Sequence, residues 1–159
     1  MIIENRKTAI KVRFRTFVLT IIFATLVIII YTTRLLDDPL FGLNKNYYTL
    51  ILVALFILIL FAQYFLNLNF IYYRDEGQTL VFRYYSLRIL SSKKNSIEIP
   101  KNEFVRFEIR KSALGLKREL YLYQRIKSGI AKYPPIPITS LTRDERKAIH
   151  DSLARYVKQ

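Results

Sequence analysis

The sequence predicts a membrane protein in which a hairpin of two transmembrane α-helices precedes a mainly-β domain closed by a C-terminal α-helix. Three observations carry this. No charged residue occurs from Thr16 to Thr33 or from Asn46 to Tyr73. Apolar residues then recur with a period of two between Thr79 and Ile126, and the period changes to a helical one after Thr142. A bilayer core takes roughly 20 mostly apolar helical residues, with a range of about 17 to 25. Backbone amides find no water there, so each uncharged run must close its own hydrogen bonds as a helix.

The chain of 159 residues has room for two spans and one small domain. It has no cysteine, which excludes disulfides, thiolate metal sites and thiol catalysis. One histidine and one methionine leave little with which to hold haem, copper or zinc, so no cofactor is expected. The formal net charge is +14. Nucleic-acid binders are basic, but so are membrane proteins whose bulk faces an anionic cytoplasmic leaflet. Two spans favour the second account.

Residues 1–15 read as a cytoplasmic arm, with Arg6, Lys7, Lys11, Arg13 and Arg15 against Glu4 alone. Residues 16–36 form the first span. Its apolar stretch runs on into Tyr31-Thr32-Thr33-Arg34-Leu35 without a small-residue cleavage site, as an uncleaved anchor does. Residues 37–46 form a short external loop with a turn at Asp38-Pro39 and Gly42. Residues 47–68 form the second span, antiparallel to the first. Lysine and arginine are denser before the first span and after the second than between them, which places both termini on the cytoplasmic side of a bacterial inner membrane. Tyr31, Tyr47 and Tyr48 then mark the outer interface, and Tyr64 and Phe65 the inner one. Gln63, the one strongly polar side chain in the body of the second span, is expected to bond headgroup water or the neighbouring helix. Neither uncharged run holds an Asp, Glu, Lys, Arg or His, which disfavours an ion-driven transporter.

Residues 69–159 read as the domain. Phe70–Tyr73 is a short strand, and Asp75-Glu76-Gly77-Gln78 a turn. Thr79–Tyr85 places Leu80, Phe82 and Tyr84 on one face, opposite Val81, Arg83 and Tyr85. After a turn at Ser91–Asn95 comes the strand Ile97–Ile99, then Phe104–Arg110 with Val105, Phe107 and Ile109 on one side. Beyond a turn at Gly115, Glu119–Ile126 sets Leu120 and Leu122 against Tyr121 and Tyr123. Ile130–Tyr133 and Ile136–Thr139 are short strands broken by prolines, hence edges. Thr142 and Glu145 have the spacing of a capping box, followed by an apolar stripe of Ile149, Leu153, Tyr156 and Val157.

Ser96-Ile97-Glu98-Ile99-Pro100, leading through Asn102-Glu103-Phe104 into Val105–Ile109, and Ile136–Leu141, leading into Arg143–Arg146, carry a family likeness. In these segments and in element order the chain resembles small bacterial membrane proteins that join a two-span hairpin to a pleckstrin-homology (PH)-like domain, of the YcxB-like or bacterial PH type. The resemblance implies an antiparallel sheet or barrel with a C-terminal helix. The chain departs from the pattern in having no tryptophan before the middle strand, and its first domain loop is acidic where inositol-lipid binders are basic.

The basic residues are the candidate contacts for lipid or a partner. Arg83, Arg88, Lys93 and Lys94 surround one hairpin end, and Arg110, Lys111, Lys117 and Arg118 another. Each base near an anionic leaflet is worth about 1 kcal/mol. His150 has no nucleophile or second base beside it, so it reads as a solvent-facing helix residue. Asp37-Asp38 reads as turn chemistry and Pro134-Pro135-Ile136-Pro137 as a strand boundary. Tyrosines alternate with bases at Arg83–Tyr85 and Tyr121–Arg125, as in single-strand binders, but strand propensity explains them too. The resulting expectation is a non-enzymatic, membrane-anchored interaction module, an accessory or adaptor subunit. Its partners would be membrane lipids and a membrane protein or second copy, rather than nucleic acid. The alternative is a binder of anionic headgroups through the basic face.

Overall fold

The computed structural model describes residues 1–33, 44–88 and 93–157. The elements are β1 (Ile2–Glu4), α1 (Arg6–Thr32), α2 (Lys45–Leu66), β2 (Asn69–Arg74), β3 (Thr79–Ser86), β4 (Lys94–Pro100), β5 (Phe104–Ser112), β6 (Lys117–Ile126), β7 (Gly129–Lys132), β8 (Ile136–Pro137) and α3 (Arg143–Ala154). The expected turn at Asp38-Pro39 and Gly42 lies outside the described residues, as do Ser91 and Ser92 of the turn expected over Ser91–Asn95. The chain divides into two compact units, Lys11–Phe65 and Met1–Ile10 with Leu66–Gln159.

In the helical unit, α1 and α2 are each long and apolar enough to cross a membrane. They pack antiparallel. Phe23 stacks on Phe56 with centroids 4.2 Å apart and planes at 12°, and Thr16 Oγ1 lies 2.9 Å from Gln63 Oε1. The two contacts are seven residues apart on each helix, which keeps both on one seam. Gln63 therefore bonds the neighbouring helix. The Thr16 hydroxyl also donates to the Val12 carbonyl at 3.0 Å. It has one proton, so the amide orientation that satisfies both residues turns Nε2, which otherwise has no partner, toward Thr16. Helix α1 begins at Arg6, well before the uncharged run. Its 27 residues span about 40 Å, longer than a hydrocarbon core of about 30 Å, and its first turns carry the bases of the predicted arm.

The β unit is built from two antiparallel sheets, β1-β2-β3-β4 and β5-β6-β7, with β8 also pairing β6. Leu80, Phe82 and Tyr84 point inward as their alternation predicts. They meet Ile71 and Tyr73 from β2, Ile97 and Ile99 from β4, and Leu120 and Leu122 from β6. Helix α3 adds Ile149 and Leu153 to this core. Its capping box is formed: Glu145 N donates to Thr142 Oγ1 at 3.3 Å, and Thr142 N to Glu145 Oε2 at 2.7 Å. Tyr156 and Val157 lie past the helix end but still pack on the core.

Several strands depart from their predicted faces or lengths; β4 starts at Lys94, within the stretch expected as a turn, rather than at Ile97. In β5 a bulge falls between Phe104 and Arg106. One extra residue reverses the phase of a period-two pattern. Phe104 thereby takes the inner position, while Val105 is only half-buried. The strand expected over Ile136–Thr139 is only Ile136–Pro137: Ile138 N still donates to Arg118 O at 2.9 Å, but Arg118 N donates to the Thr139 hydroxyl at 3.1 Å instead of to a strand carbonyl. Strands β7 and β8 follow the same edge of β6 with Pro134-Pro135 between them, and Ile136 is fully buried.

Strand β1 has no counterpart in the sequence reading. It lies before α1, yet pairs with β2 beyond α2, with Ile3 opposite Tyr73. Asn5 holds the junction. It is 1% exposed. Its Oδ1 accepts from Ile71 N at 2.8 Å, and its Nδ2 donates to Asn69 O at 3.0 Å and to Ser140 Oγ at 2.9 Å. Asn5 N donates to Ile71 O at 3.2 Å, and Asn5 O accepts the first helical bond, from Ala9 N at 2.9 Å. Helix α2 ends on Asn67, whose φ of 46° is the left-handed geometry common just past a helix C-terminus.

Two outcomes follow from these contacts. Asn5→Ala strands buried donors and acceptors on β2 and is expected to cost about 3 kcal/mol, against less than about 0.5 kcal/mol for exposed Asn102→Ala, in thermal unfolding of the detergent-solubilised chain. Gln63→Leu removes one interhelical bond and should cost only about 0.6 to 1.7 kcal/mol, read from the same transition.

Candidate functional site

The outer face of the first sheet carries a groove. The ladder places Phe70, Tyr85 and Lys94 side by side on β2, β3 and β4, with Tyr72, Arg83 and Ser96 in the next row. With Tyr84 and Asn95 these residues line a cavity of about 330 Å³. Phe70 stacks on Tyr85 at 4.8 Å, which gives the groove a flat aromatic floor. Arg83 and Lys94 supply the positive charge. Arg83 has one acidic neighbour, Glu98 at 3.6 Å, and both side chains are exposed, so water screens the pair. Lys93 lies exposed beside Lys94. Arg88 is turned back instead, with Nη2 donating to Asn67 Oδ1 at 3.2 Å. Of the first predicted cluster, Arg83, Lys93 and Lys94 thus stand at one hairpin, while Arg88 supports the strand connection.

The second cluster also divides. On the outer face of the second sheet, Arg106 lies over the Tyr123 ring at 4.5 Å, Arg110 over Tyr121 at 5.0 Å, and Lys132 over Tyr121 at 4.2 Å. Glu108 takes a 2.9 Å bond from Arg110 and sits 3.6 Å from Arg106. The Arg110 bond, aided by the two positive charges, holds the Glu108 carboxyl below its ordinary range despite partial desolvation. Of the tyrosines considered as stacking platforms, Tyr121 and Tyr123 are covered by the chain's own cations, Arg110 among them. Lys111, Lys117 and Arg118 lie instead around the β5–β6 turn, with Lys111 directly opposite Arg118.

A third group has no single-residue sequence signal. Asp75, read as a turn residue, is 6% exposed. Its carboxylate accepts from the Met1 α-amino group at 2.7 Å and from Ser152 Oγ, whose oxygen is also 2.8 Å from Tyr73 Oη. Lys101 Nζ donates to the Asp75 carbonyl at 2.6 Å. Burial alone would push this carboxyl up. The Met1 and Ser152 hydrogen bonds and the neighbouring positive charges outweigh burial and bring it below the usual carboxylate range. Burial likewise raises the Tyr73 phenol. Asp75 ties β1, β2 and α3 together, and it answers to structure.

His150 is exposed, edge-on to Phe107 at 5.2 Å, with Nδ1 3.2 Å from Asp151 Oδ1. Among the described residues no group of three or more His, Cys, Asp or Glu side chains is placed to hold a metal ion. No family model, curated protein or solved structure matches the chain.

The Asp75 contacts set a pH dependence. A carboxyl lowered in the folded state contributes stability above its ordinary value near 3.8 and loses it as pH falls through the lower folded value. The Met1 amine is raised, chiefly by its bond to Asp75, so its contribution is present below 8.0 and lost as pH rises through the folded value. The melting temperature should therefore fall on both limbs. Asp75→Asn should flatten both while lowering stability at pH 6 by about 1 to 3 kcal/mol, read in a pH series of melts.

Proposed function

We propose that this chain is a non-catalytic, membrane-anchored interaction module of the PH-like kind. In this reading it is an accessory or adaptor subunit of a larger complex in a bacterial inner membrane, with both termini cytoplasmic. One observation carries the reading. The β unit is closed by strands from either side of the helical pair: β1 joins α1 through Asn5 alone, and α2 joins β2 through Asn67 and Leu68. If α1 and α2 cross a bilayer as a hairpin, both ends of that hairpin return to a single folded unit on one side. Excess lysine and arginine in α1's first turns and in the β unit supports the cytoplasmic side.

A domain anchored this way needs no affinity of its own to stay at the membrane. Its exposed surfaces are available for recognition. The groove sets Tyr72, Tyr85 and Arg83, side-chain types enriched where protein partners bind tightly, beside Phe70 and Lys94. An acidic or carboxylate-bearing segment of a neighbouring membrane protein is the partner this chemistry suits.

Native membranes solubilised in mild detergent supply the test. Capture through a C-terminal tag is expected to bring down a defined membrane protein in constant ratio. The double variant Arg83→Glu, Lys94→Glu should lower that capture by roughly tenfold or more, as charge reversal at a recognition surface does. A chain that migrates alone, or equal capture by the variant, counts against the reading.

A further inference from the structure

The turn between β5 and β6 is apolar at its tip and basic at its base. Leu114 is fully exposed, with a relative accessibility of 105%, and Leu116 is exposed to 60%. Ala113, Leu114 and Gly115 have φ values of 51°, 54° and 85°. The turn closes through Gly115 N donating to Ser112 O at 3.1 Å and Leu116 N to Ala113 O at 3.0 Å. Hairpin turns with successive positive φ values select Asn-Gly or Gly-Gly, because a Cβ is disfavoured there. This chain places alanine and leucine at those positions. The outermost side chain of the turn is thus a leucine held in a strained backbone, and no described residue buries it. Strain of this kind at an exposed site points to a use outside the fold.

The residues below the tip define that use. Lys111 and Arg118 face each other across the ladder, and Lys117 lies opposite Ser112. Like charges directly opposed are unfavourable within a sheet, so this arrangement is not explained by hairpin stability. Protein interfaces are depleted in lysine, and their hot spots use leucine sparingly. Leucines beneath a collar of lysine and arginine match an anionic bilayer surface instead: apolar side chains enter the headgroup–acyl boundary while bases meet phosphates.

We propose that the β5–β6 hairpin tip is a bilayer-inserting wedge, with Leu114 and Leu116 entering the interface of an anionic lipid surface and Lys111, Lys117 and Arg118 binding its phosphates. The site is separate from the groove of the first sheet and does not depend on the adaptor role. Two leucines bury little area, so insertion is reversible and depends on the charges as well. The bilayer is either the one that holds the helices or a second one brought close, and the recognition chemistry is shared.

The chain contains no tryptophan, so Leu114→Trp introduces a single reporter. The full chain carrying it is reconstituted into nanodiscs. One series uses nanodiscs of phosphatidylglycerol and acyl-brominated phosphatidylcholine. The other uses unbrominated neutral nanodiscs with added vesicles of the brominated anionic mixture. Blue-shifted, quenched emission is expected in one series, which also names the bilayer engaged. Lys111→Glu with Lys117→Glu should weaken the response roughly tenfold or more. Ile130→Trp, an exposed position on β7, is expected to stay unquenched. The turn's strain gives a second test. Leu114→Gly should hold or raise the melting temperature, yet reduce quenching of a Leu116→Trp reporter. Solvent-like emission of the Leu114→Trp chain in both series overturns the proposal. So does equal quenching at position 130, or unchanged Leu116→Trp quenching with glycine at 114.

Discussion

The buried amide of Asn5 is the constraint on which the β unit depends. A three-residue strand cannot hold itself in a sheet, because few residues share the entropy of ordering the chain. Asn5 supplies what length does not. It satisfies β2 with backbone and side chain together, reaches Ser140 at the entry to α3, and starts α1 with its own carbonyl. Removal of any one partner leaves a desolvated polar group, so the network acts as a unit. The same residue therefore closes the first sheet, fixes where α1 begins and ties the loop that carries α3.

Asp75 does the corresponding work at the other end of β1. The carboxylate is buried, yet it stays charged because the Met1 amine and the Ser152 hydroxyl replace the water it has lost. Between them, Asn5 and Asp75 bracket a strand with little apolar area of its own; only Ile3 packs on the core. The first sheet is thus held at its edge by polar contacts and at its centre by apolar ones. An edge strand also covers hydrogen-bonding groups of β2 that would otherwise invite pairing with another chain.

Much of this was legible from pattern alone. Uncharged runs gave the two helices, period-two alternation gave β3 and β6, and the Thr142–Glu145 spacing gave the cap of α3. What failed to show had physical causes. Strand β1 is short, and its pairing partner lies beyond two long helices in sequence, so no local signal specifies it. The bulge in β5 put Phe104 inward because one inserted residue inverts the phase of the strand's start relative to Phe107, which packs on the core as its alternation predicts. Charged clusters were visible as composition, but their division was not. Register decides that Arg110 stacks on a tyrosine while Lys111 does not, and register is a property of two strands.

The distribution of charge then separates two jobs that composition merges. If α1 and α2 cross a bilayer, the part of the +14 net charge that lies near their ends serves topology. Arg106, Arg110 and Lys132 are spent within the second sheet, covering Tyr121 and Tyr123 and flanking Glu108. Arg83 and Lys94 border an aromatic groove, and Lys111, Lys117 and Arg118 ring an apolar turn. In the proposed reading the domain is tethered beside its ligands at high effective concentration, so neither surface needs strong intrinsic affinity. Weak contacts suffice to choose an orientation. In that regime a strained, two-leucine tip has enough to offer, and a larger apolar patch would only raise the risk of aggregation.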